Sequence, residues 1–121
     1  MAYSTVTPKN RSAATIIHEW IARAQLEGQP DAYTGKRKTQ RIAWVVPVML
    51  QLNPGGSGER TYFAQSIDIG PKGMGVRCPE PIEARSTVRL FADDGDESVT
   101  GIVKHCSTTV GAYVLGIQFS P

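Results

Sequence analysis

Ile42-Ala43-Trp44-Val45-Val46-Pro47-Val48-Met49-Leu50-Gln51-Leu52 is the most apolar segment of the chain, and its period decides the fold class. Ile42, Trp44, Val46, Val48, Leu50 and Leu52 alternate with Ala43, Val45, Pro47, Met49 and Gln51. Successive side chains of a strand point to opposite faces, so the first set predicts one strongly buried face. The second set is also rather apolar, so the strand is expected to have a cover on both sides. Pro47 has no N–H to give to a ladder, which predicts a free edge or a bulge there.

Downstream, the same period-2 signal returns in shorter runs. Residues 60–69 read as a second strand with Tyr62, Phe63 and Ile67. It is expected to end in a turn over 68–73. Met74, Val76 and Cys78 alternate in a third strand, closed by Pro79 and Pro81. Residues 87–91 form a fourth, with Val88 and Leu90 on one face; 98–106 and 112–119 are the fifth and sixth. The loop over 53–58 has the Pro and Gly content of a turn, with no Lys-Ser/Thr or following helix to make it a phosphate loop. The acidic stretch Asp93, Asp94, Asp96 and Glu97 reads as a hairpin turn; its glycine comes too early for a calcium loop. Short strands separated by turns every ~8–12 residues predict an antiparallel barrel or sandwich.

Upstream, the period changes to that of a helix. Ala13, Ile16, Ile17, Trp20, Ile21 and Ala24 share one face at i, i+3, i+4, i+7 spacing. Ser12 is the expected N-cap and Gly28 the stop. Glu19 and Arg23 are expected to pair at i, i+4, and His18 to be solvated. The helix is the expected second cover for the first strand, a partner chain being the other candidate. The predicted organisation is a flexible tail over 1–11, a helix over 12–28 and an all-β barrel domain over 29–121.

Composition narrows the function. A chain of 121 residues suits one domain, and a net charge of +2 excludes polyanion binding by bulk field. The positive charge is local, with Lys36, Arg37, Lys38 and Arg41 within a short run before the first strand. Cys78 and Cys106 are far apart and lack ligand-spaced partners, so they read as core or half-buried thiols. No apolar signal core and no run long enough to span a bilayer are present, which predicts a soluble cytoplasmic protein without membrane insertion. His18 and His105 belong to no nucleophile, acid/base or metal set, so no catalytic residue, metal or cofactor is expected.

Two stretches carry chemistry. Arg37 and Arg41 lie four residues apart just before a strand, and guanidinium forks match phosphates and purine edges. Asp68-Ile69-Gly70-Pro71-Lys72-Gly73 places a carboxylate and two glycines in a tight turn. A carboxylate can accept two N–H bonds from the Watson–Crick edge of guanine.

Arg37-x-x-x-Arg41, then Pro47-Val48-x-Leu50, Asp68-Ile69-Gly70-x-x-Gly73-Met74, Gly101-x-Val103 and Leu115-Gly116-Ile117-x-Phe119 follow one another in an order that resembles the PilZ domain. This is a bacterial six-stranded barrel that binds the second messenger cyclic di-GMP. The resemblance covers roughly residues 35–119. It implies that Arg37 and Arg41 bind phosphates and guanine Hoogsteen edges, that Asp68 accepts from guanine, and that Gly73 lets the backbone approach the ligand. Gly70 stands where the family pattern has serine. Many relatives continue into a helix after the last strand, and the N-terminal helix is expected to take that structural place here. The implied function is a cyclic di-GMP receptor that orders its basic arm on binding and signals to a partner protein. The alternative is a barrel that no longer binds nucleotide and acts as a protein-interaction module. Binding of RNA or single-stranded DNA is disfavoured, since aromatics are not interleaved with the basic residues. A homodimer through the N-terminal helix is a further expectation.

Overall fold

The computed structural model describes residues 11–27 and 41–120. One helix, α1 (Ala13–Glu27), precedes seven strands: β1 (Ile42–Ala43), β2 (Pro47–Leu52), β3 (Arg60–Gly70), β4 (Gly73–Cys78), β5 (Thr87–Ala92), β6 (Ser98–Thr109) and β7 (Ala112–Phe119). The strands run in the order β1-β3-β2-β5-β6-β7-β4, and a further β3–β4 pairing closes the sheet on itself. All pairings are antiparallel. The result is a six-stranded closed barrel with β1 as an extra strand, as the sequence predicted apart from that addition. Closure leaves β2 to β7 without the unpaired edges of an open sheet.

The segment 42–52 is not one strand. Both of its pieces lie on the same side of β3, with Ile42 opposite Ile69 and Pro47 opposite Gln65. Between them the register slips by one residue, and Ser66 fills the gap. Its hydroxyl donates to the Trp44 carbonyl and accepts from the Val46 N–H at 3.0 Å. The break lies just before Pro47, where a strand residue without an N–H predicts irregularity.

The alternation itself holds. Trp44, Val46, Val48 and Leu50 are buried, while Val45 and Pro47 are exposed. Met74, Val76 and Cys78, then Val88 and Leu90, enter the same interior from β4 and β5. Ile82, in the connection between β4 and β5, is also buried and has no period to announce it. Cys78 is a buried free thiol, its pKa pushed up by burial, and Cys106 is half-buried.

The helix does not cover the outer face of β2. It packs against β1, β3 and β6 at one end of the barrel. Ile16, Ile17, Trp20 and Ala24 join the strand side chains in a single core. Trp20 meets Trp44 at 6.5 Å between ring centroids and 40° between planes. Ser12 caps the helix as expected, accepting from the Thr15 N–H at 3.2 Å. Gly28 lies outside the described residues.

The expected Glu19–Arg23 pair does not form, because each has a partner outside the helix: one in the barrel, the other just before the helix. Arg23 binds Asp93 and lies 5.7 Å from the Trp44 ring centroid. Glu19 is held by Arg11, which also reaches Glu97, at 2.6 Å through Nε. The acidic β5–β6 hairpin turn is therefore an electrostatic dock for α1. Asp93 and Asp94 both adopt left-handed backbone there, with φ of 56° and 60°, a conformation that aspartate tolerates better than most residues.

Candidate functional site

Arg41 leads directly into β1, and Asp68 sits near the end of β3, opposite Ala43. A bulge in the β3–β4 ladder between Ser66 and Asp68 breaks the alternation and sets the direction of the aspartate. Arg41 Nη1 donates to Asp68 Oδ1 at 2.9 Å. The Gly75 N–H donates to the same oxygen, also at 2.9 Å. Gly75 has room for nothing else: a Cβ there would sit 2.8 Å from Oδ1. The side chains of Arg41 and Asp68 are 23% and 13% exposed, so the pair is half-sheltered and still reachable.

The turn after Asp68 is tighter than the sequence implied. Asp68, Ile69 and Gly70 belong to β3, and only Pro71 and Lys72 form the turn. Gly70 and Gly73 face each other across the ladder. Neither has left-handed backbone. Gly73 is needed for another reason: a Cβ there would meet the Ile117 carbonyl oxygen of β7 at 2.2 Å. It is the close approach of a neighbouring strand, not the turn itself, that demands glycine.

Of the expected site residues, the structure brings Arg41, Asp68, Gly70 and Gly73 to one end of the barrel. Arg37 lies outside the described residues. Beside them is a hollow of about 290 Å³ lined by Arg41, Lys72, Gly73, Lys104, His105 and Gln118, among others. Three cations and no carboxylate line it. His105 follows a register slip in the β6–β7 ladder and lies against Gly116, where a Cβ would be 2.2 Å from Nε2. Sequence reasoning missed Lys72, Lys104 and His105. A lysine in the turn of the motif was a signal for the first. The other two depend on which wall of the barrel adjoins β4, which no local pattern reveals.

A hollow of this kind suits a polyanion with flat groups. Cations can hold phosphate, and a ring lying on backbone offers a planar surface. The largest cavity described, about 400 Å³, lies elsewhere: between α1 and the hairpin, with Ile17, Ile21 and Phe119 in its lining. It shares only Lys72 and Gln118 with the charged hollow and has no other lysine, arginine or carboxylate in its lining. Charge and the arginine–aspartate pair favour the smaller one as the ligand site. Among the described residues, no three His, Cys, Asp or Glu side chains are grouped to hold a metal ion, and no helix is long and apolar enough to cross a membrane.

The model of the PilZ domain matches residues 35–121. The chain belongs to the PilZ domain family. The match takes in β1 to β7 and leaves α1 outside. No curated protein matches the chain. PilZ domains are binding and adaptor modules rather than enzymes, and are generally associated with cyclic di-GMP.

Proposed function

We propose that this PilZ domain is a receptor for cyclic di-GMP. The observation that carries the reading is the Arg41–Asp68 pair standing at the rim of a hollow lined by Arg41, Lys72 and Lys104. Arg41 and Arg37 hold phosphates and guanine Hoogsteen edges, and Asp68 accepts from a guanine Watson–Crick edge. Without ligand, Arg41 and Asp68 neutralise each other. With ligand, each meets a group of opposite character, so the pair is exchanged for two sets of contacts rather than left bare. The arginine run before β1 orders against the barrel in that exchange, and the changed surface is read by a partner protein.

Calorimetric titration of the full chain with cyclic di-GMP tests this. Arg37→Ala and Arg41→Ala should each weaken binding by about 1.5–3 kcal/mol, the range for hydrogen bonds to charged groups. Arg89→Ala, on an exposed position of β5, should leave it unchanged. If the parent protein gives no saturable heat, the receptor reading fails. The second reading, a PilZ barrel that binds only protein, then stands. It is favoured by one feature: Gly70 supplies no hydroxyl where the family pattern has serine.

A further inference from the structure

The outer wall formed by β3, β2 and β5 carries an apolar row that no other described residue covers. Met49 is opposite Phe63 on one side and Phe91 on the other. Phe63 is 76% exposed. A ring standing this far out of a strand keeps most of its apolar surface in water. It also stands between two hollows and lines both. One, of about 250 Å³, is bounded by Pro47, Met49 and Phe91 and edged by Asp94. The other, of about 350 Å³, lies toward β4 and is edged by Arg77.

The charges on the two flanks are opposite and at the same height. Arg77 is opposite Gln65, and Gln65 is opposite Pro47. The Pro47 carbonyl accepts the Asp93 N–H at 2.7 Å, which puts Asp94 on that same row. Reading across the wall gives Arg77 on β4, Gln65 on β3, Pro47 on β2 and Asp94 just past the end of β5, with Phe63 two residues along β3 from that row. A two-fold axis parallel to the strands and midway between β3 and β2 exchanges the flanks, preserves the height and lays each Phe63 over the Met49 side of the other copy. Each Arg77 then faces the other copy's Asp94, and each Phe63 faces a hollow instead of another knob. An apolar centre with charges at its rim is the usual anatomy of an interface. The surface is complementary to itself, which is what an isologous contact requires.

We infer that this wall is a homodimer interface, with a second copy of the chain as the occupant. The helix is not, because its apolar face is spent inside its own barrel. The hollow near Arg41 and Lys104 is on the wall formed by β4, β7 and β6, so the dimer leaves the candidate ligand site open.

Sedimentation velocity of the full chain over a wide concentration range, without nucleotide, tests the inference. A concentration-dependent dimer is expected. Phe63→Asp should raise its dissociation constant at least ~30-fold, as for a central interface anchor. Because Phe63 is exposed, the melting temperature at low concentration should hold. Arg77→Asp and Asp94→Arg should each weaken the dimer, and the two together should restore it. A chain that stays monomeric throughout overturns the inference and leaves the wall to a different protein. So does a dimer indifferent to Phe63→Asp. A double reversal that restores nothing overturns the two-fold arrangement.

Discussion

Removing the Asp68 carboxylate should disturb the barrel as well as the ligand site, and the size of the disturbance can be worked out. Asp68→Ala deletes the acceptor for both the Gly75 N–H and Arg41 Nη1. The first loss is that of a charge-assisted bond, about 1.5–3 kcal/mol. The second is a half-exposed ion pair, worth roughly 0.2–1 kcal/mol, and Arg41 can turn to water. The sum is about 1.7–4 kcal/mol. At ~2.1 cal/mol/K per residue over a chain of this length, that lowers the melting temperature by about 7–16 °C. Asp68→Asn keeps an oxygen for Gly75 and loses only the charge, so its shift should be about a third as large. Thermal melts followed by circular dichroism, repeated in urea, read both. Ligand titration of each variant must then be done well below its own melting temperature, so that lost affinity is not lost fold. If Asp68→Ala melts with the parent, the carboxylate does not brace the β3–β4 ladder, and the bulge must hold without it.

Gly73→Ala should destabilise by about 3 kcal/mol or more, because the methyl would collide with the Ile117 carbonyl and force β4 away from β7. A variant of parental stability that binds no ligand would show the glycine to be a ligand contact instead. Trp20→Ala should cost about 3–5 kcal/mol, since the ring is 5% exposed and packed at a tilt against Trp44; urea midpoints near the parent would mean that α1 is dispensable to the core. The hydrogen bond from Arg11 holds the Glu19 carboxyl below its ordinary value of 4.5. Its contribution is therefore present above that value and fades as pH falls through the lower, folded one. Tryptophan fluorescence should report α1 loosening in acid before the barrel melts, and Glu19→Gln should remove that step. An identical acid response from parent and variant would place the sensitivity elsewhere.

The six barrel strands and their pairing sense could be read from the sequence because the apolar period is so regular, though not the break that makes β1 a separate strand. Val48, Leu50, Met74, Val76, Val88 and Leu90 point inward as their spacing says. What the pattern could not give was the role of particular neighbours across strands. Ser66 looks like any polar strand residue until the slipped register at Val46 shows what its hydroxyl plugs. The helix start came within a residue, yet its place was misjudged. Period and composition tell which face is apolar, not which surface receives it, and the end of a barrel has no sequence signature. The charge pairs followed the same rule: Arg23 prefers Asp93, far along the chain, over Glu19 one turn away. For the candidate site, Arg41 and Asp68 were found because the family motif names them. Lys104 and His105 reach the same hollow only through the β6–β7–β4 order.

Glu27 accepts a hydrogen bond from the Trp44 indole at 3.0 Å. This joins the last residue of the helix to the bulge after β1. The stretch that carries Arg37 is thus tethered at both ends to the same rigid body, whatever path it follows between them. Any segment tethered at both ends samples a smaller volume than the same peptide free in solution, which raises its effective concentration at the surface it is tied to. On the receptor reading proposed above, part of the entropy of bringing Arg37 to the nucleotide would already be spent in folding. On that reading, a single peptide-bond cut within 28–40 should slow or weaken capture of the nucleotide, because one of the two tethers would be gone.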